Sequence, residues 1–246
     1  MTRNASASGS ADLSPRAMAR LAGILLLLTM VLGGVGQSLQ GRLLVAGDAA
    51  ATALRIQTHG SQLWGAFALY MIELSCQIAF TVVSYEMFRP VSRTGSGLAA
   101  CLSLVGIAIK CLSRFWLIVP TFLLSDAAWL GAFTAEQRPA LALLALQINI
   151  QGAGVAMIFF GLSALVGGYL ILRSTFLPAF LGILGMAAGI GWLAFLNPPF
   201  GQRWSLYVIA VGLLGALVKV LWFIVFGVRE AEWREAARRA QQSLWT

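Results

Sequence analysis

Two cations sit four residues apart inside an apolar run: Lys110 and Arg114, in SLVGIAIKCLSRFWLIVP. A helix brings residues at that spacing onto one face. A single acid, Glu73, lies in the apolar run before it. One acid set against two bases in apolar surroundings suits three chemistries: a structural ion cluster, a seat for an anion, or proton transfer through Glu73. A carboxylate held beside cations stays ionised, so Glu73 would serve as counter-ion or base rather than as acid. Gln77 extends the same helical face inward and Tyr70 extends it outward, so both belong with the candidate site. Gln147 and Gln151 are further candidates for hydrogen bonding to the charges.

The elements that must position these residues are membrane spans. The chain has 246 residues, 59% of them hydrophobic and only 11% charged. Soluble domains carry about a quarter charged residues, so this composition calls for an integral membrane protein. The expected class is all-α: a polytopic transmembrane bundle of about six spans, with both termini cytoplasmic and an amphipathic C-terminal helix. Residues 1–15 read as a disordered tail, 16–227 as the bundle and 228–246 as the basic terminal helix. The spans fall at about 17–35, 62–85, 97–124, 150–172, 175–196 and 204–226. Residues 40–57 are more polar and read as a loop with a short interfacial helix. Pro139, Gly152 and Gly154 predict a break that keeps 140–146 apart from the fourth span, as an interfacial or tilted half-helix.

Basic residues fix the orientation. With both ends inside, ten arginines face the cytoplasm, among them Arg16, Arg20, Arg89, Arg93 and Arg173, against Arg42, Arg55, Arg138 and Arg203 outside. That asymmetry obeys the positive-inside rule, and the net charge of +8 then reflects topology rather than nucleic-acid binding.

The second and third spans run antiparallel, and their midpoints put Glu73 and Lys110 at one depth. An unpaired charge there costs roughly 2.5–3.5 kcal/mol. The charges should therefore face the bundle and pair. Lys219 lies two turns from the cytoplasmic end of the last span, within snorkelling reach of it and near Glu86 as a partner. Cys76, Cys101 and Cys111 lie in apolar runs without CxxC spacing, and His59 stands alone, so neither a structural disulfide, a metal site nor a cofactor is expected.

The stretch MIFFGLSALVGGYLILRSTFLPAFLGILGMAAGIGWL, with ARLAGILLLLTMVLGG near the start and FRPVSR after the second span, resembles the domain-of-unknown-function 4386 family of bacterial multi-pass membrane proteins. The resemblance implies a prokaryotic inner-membrane protein of six to seven helices and carries no catalytic residues. Glu86 departs from the apolar residue expected before FRP. The motifs themselves read as packing: Gly182, Gly185 and Gly189 let another helix approach closely, within the chain or in a homo-oligomer.

Three functions remain open on this reading. The first is binding of an amphipathic anion, an acidic lipid or isoprenoid-like acid, with Lys110 and Arg114 at its head and Trp116, Phe67, Phe159 and Trp192 as walls. The second is an intramembrane lipid- or isoprenoid-modifying enzyme using Glu73. The third is a subunit of a small-solute or proton-coupled transporter. Membrane lipids are the expected partners.

Overall fold

The computed structural model describes residues 13–242. Most of the expected N-terminal tail, and 243–246, fall outside the described residues. Nine helices, and no strand, are found among the described residues. Six of them are long and apolar enough to cross a membrane.

Helix α1 (Pro15–Leu43) starts where Ser14 accepts a hydrogen bond from the Ala17 amide and Pro15 takes the first turn. It runs past the expected end at Val35, because Gly36 is a packing position against the Tyr70 ring rather than a terminus. The short helix α2 (Ala49–His59) is capped by Asp48, with Gly47 at φ +74° supplying the left-handed turn before it. Helices α3 (Ser61–Phe88) and α4 (Arg93–Leu123) form the antiparallel pair that carries the charges.

Helix α5 (Gln137–Arg173) is one continuous helix of 37 residues, about 55 Å long. The expected break is therefore corrected. Pro139 sits in the first turn, where no helical N–H is lost. Gly152 and Gly154 are close-approach positions against Ser113 and Phe195. Helix α6 (Ala179–Trp192) continues as a 3-10 turn, and α7 (Pro198–Arg203) leads into α8 (Ser205–Val225) and α9 (Glu230–Gln242).

The spans pack in the order α1, α3, α4, α5, α6, α8, and α8 returns to α1, closing a ring. Two apolar clusters hold its ends. One, around Met87, Phe176, Leu181 and Phe223, lies on the face that carries α9. The other, around Ile56, Leu63, Leu117 and Leu146, lies on the face that carries α2. Ile24, Val31, Leu112, Ile183, Leu206 and Leu214 instead point outward and are exposed. A belt of outward apolar side chains over polar ends is what a hydrocarbon solvent requires. Helix α9 carries no buried residue, but its Trp233 indole donates to the Met87 carbonyl at 2.9 Å and tethers it to the end of α3.

Candidate functional site

Glu73, Lys110 and Arg114 come together midway along α3 and α4, all buried. The Lys110 ammonium donates to Glu73 Oε1 at 2.6 Å. Antiparallel register puts the two at one depth, and helix packing turns both inward. Arg114, one turn further along α4, has no carboxylate partner among the described residues. Its guanidinium lies 3.7 Å from the centroid of the Tyr70 ring, a cation–π contact. Its Nη1 donates to Asn149 Oδ1 of α5 at 2.9 Å. Tyr70 in turn donates its hydroxyl to Gln37 Oε1 of α1 at 3.1 Å.

Glycines make this junction possible. A Cβ on Gly36 would lie 3.1 Å from the Tyr70 ring, and one on Gly152 only 2.7 Å from the Ser113 Cβ. Gly33 faces the Glu73 carboxylate, where a Cβ would come within 3.7 Å of its Cδ. Four helices, α1, α3, α4 and α5, thus contribute to one polar cluster.

The polar accounting is uneven. One Lys110–Glu73 pair leaves the Arg114 charge without an acid. Arg114 Nε and Asn149 Nδ2 are buried donors with no partner within the described residues, and Glu73 Oε2 is a buried acceptor with none. A buried donor without an acceptor is costly, about 1–3 kcal/mol each and more for a charged group. The two unmatched donors belong to side chains that are bonded to one another through Arg114 Nη1 and Asn149 Oδ1.

Some expected members of the site fall elsewhere. Tyr70 serves Arg114 through its ring face, and its hydroxyl turns to Gln37. Gln77 makes no hydrogen bond to either cation, and its side-chain oxygen is buried without a partner. Gln147 and Gln151 are exposed on the outer surface of α5. Trp116 is 43% exposed and faces out, while Trp192 packs on Gly212 of α8, away from the cluster. Of the expected wall residues, Phe67 packs on the apolar cluster that includes Tyr70. Glu86 pairs with Arg89 at 3.3 Å, not with Lys219. Lys219 places its amine beside Gly185 of α6, where a Cβ would lie 3.5 Å from Nζ. Gly185 and Lys219 are each about 9 Å from the ends of their helices, so the amine stays level with its backbone instead of reaching to the surface.

Asn149 and Gln37 are the functional neighbours that inspection of charges alone passes over. The signal was present for Asn149, one of two amides in the apolar stretch LALLALQINI, one turn before a glycine that meets α4.

A ring of six apolar spans with a charged cluster where four of them meet defines an integral, multi-pass membrane protein. The chain belongs to the family described as Domain of unknown function (DUF4386), whose model matches residues 21–227. No curated protein and no solved structure matches it.

Proposed function

We propose that this is a membrane-embedded binding protein for an amphipathic anion, an acidic lipid or isoprenoid-like acid, in the cytoplasmic membrane of a bacterium. The observation that supports it is Arg114: buried, without a carboxylate, and adjacent to an Asn149 amide whose donor is also unmatched. Arginine offers a planar fork of donors suited to carboxylate and phosphate oxygens. An anionic head accepting from Arg114 and Asn149 would neutralise the excess positive charge, and its apolar tail would lie along the helices. Glu73, engaged by Lys110, acts on this reading as a counter-ion that keeps the site from carrying two free cations.

The test is binding of a fluorescent phosphatidylglycerol to the purified protein in a neutral detergent. Arg114→Ala is expected to abolish saturable binding. Arg114→Lys, which keeps the charge and loses the fork, is expected to weaken it by tenfold or more. Unchanged affinity in both variants, with the size-exclusion profile intact, rules the site out.

A further inference from the structure

A cavity, separate from the charged cluster, opens on the face that carries α2. It encloses about 630 Å³ between α2, the start of α3 and the end of α4. That is within the ~300–1,000 Å³ typical of small-molecule sites. It is lined by Trp64, Asp126, Ser61, Thr121 and Gln57 among others, and the Thr121 hydroxyl is already committed to the Ile118 carbonyl.

Two features of this lining point to the same chemistry. Asp126 is the one formally charged residue among those that line the cavity, and among the described residues no hydrogen bond or ion pair engages it. The other described acid on this side of the fold with a defined role, Asp48, is committed to capping α2 through the Ala51 amide. Trp64 is the second feature. It meets Phe67 and Phe122 at 78° and 87°, so neither phenyl is stacked flat against its face. The indole is 46% exposed. An unengaged carboxylate and an indole lining one cavity are the combination that holds an organic ammonium, through Coulomb attraction to the one and ring-quadrupole attraction to the other. Among the described residues Gln57 and Ser61 make no side-chain hydrogen bond, so they can serve hydroxyl or ester groups next to such a cation. The anion proposed for Arg114 is not suited to this cavity, because Asp126 would repel it.

The geometry points to a binding site for a small organic ammonium group, primary or quaternary, seated between Trp64 and Asp126. The location, at the mouth of the bundle where α3 begins and α4 ends, is reached both by a free amine in solution and by the amine headgroup of a lipid. This inference stands apart from the function proposed for Arg114 and does not need it.

Choline chloride is the probe. Titrated calorimetrically into the full-length protein in neutral detergent, it is expected to bind saturably, and sucrose at the same concentrations is not. Asp126→Asn is expected to weaken choline binding at least tenfold. Trp64→Leu should weaken it several-fold, and raised sodium chloride should weaken it in the wild type. Asp126 is exposed, so its amide replacement leaves the fold intact; Gln241→Ala, on α9 at the opposite face, serves as the variant that should leave choline affinity unchanged. Repeating the titration in phosphatidylcholine and phosphatidylglycerol nanodiscs separates the sources. Weaker choline binding in phosphatidylcholine assigns the site to a lipid headgroup, and equal binding in both assigns it to a free amine. Equal affinity in wild type and Asp126→Asn, or no saturable choline binding to the wild type, overturns the proposal.

Discussion

Lys110 meets Glu73 at 2.6 Å with both side chains nearly withdrawn from solvent, and the energetics of such a pair are asymmetric. Removing one partner leaves an unmatched charge in apolar surroundings, which costs about 3–5 kcal/mol. Removing both in favour of apolar or amide groups of similar volume is close to neutral. Lys110→Ala should therefore destabilise the folded protein strongly in a detergent-unfolding titration, while Glu73→Gln with Lys110→Met recovers most of the loss. If the double variant is as unstable as the single one, the pair is not the source of the effect. The pairing of Glu73 with Lys110 was legible in the sequence, because two antiparallel spans of known direction put their midpoints at one depth. The surroundings of Arg114 were not. Tyr70 was identified by its face, yet its contribution is the ring, and a helical-face argument cannot distinguish a hydroxyl donor from a cation–π platform. Gln77 shares the face of Glu73 and still stays apart from the cations, since it lies one turn, about 6 Å, nearer the α9 face while Arg114 lies one turn the other way.

At the scale of elements, α5 and α6 show what glycine does in this fold. A Cβ on Gly168 would lie 2.7 Å from the Gly182 carbonyl oxygen, and one on Gly182 would lie 2.6 Å from the Gly168 oxygen. Gly161 and Gly189 repeat the arrangement one step along, at 2.8 and 2.7 Å. These are backbone-to-backbone approaches, so no side-chain rotation relieves an added methyl. Between membrane helices such close approach replaces the hydrophobic effect as the source of affinity. Gly182→Val should lower stability by about 1–3 kcal/mol through overpacking. Gly34→Ala is the matched control: its Cβ meets nothing within 4 Å, and stability should hold or rise by up to about 1 kcal/mol. A thermal-stability series in detergent reads both, and equal loss in the two variants would contradict the packing account. The glycine-rich helix was legible as a packing surface. Which glycines break a helix and which admit a neighbour was not, and that ambiguity produced the expected interruption of α5 and the early end of α1. The residue type is the same in both cases, and the partner helix lies far away in sequence.

For the whole molecule, contact of α8 with α1 closes a ring and brings the two described ends to one face. There Gly227, at φ +68°, turns the chain toward α9 beside Arg16. No local pattern signals that closure, since both helices are apolar over most of their surface. What the sequence does carry is the charge asymmetry of the two faces. Arg16, Arg20, Arg89, Arg93, Arg173 and Arg229 gather on the face with α9, where α9 adds ion pairs such as Arg234 with Glu230 at 3.7 Å. Arg42, Arg55, Arg138 and Arg203 lie toward the opposite face, with α2, α7 and the start of α5. The larger arginine count should remain in the cytoplasm, because positively charged flanks of short loops resist translocation. Accessibility labelling decides it. In a background with Cys76, Cys101 and Cys111 replaced by alanine, Ala128→Cys should react with a membrane-impermeant maleimide in intact cells. Gln241→Cys, on α9, should react only after the membrane is opened. The reverse pattern would place the α2 face, with its Trp64–Asp126 cavity, in the cytoplasm, where an ammonium ligand would have to arrive from inside the cell.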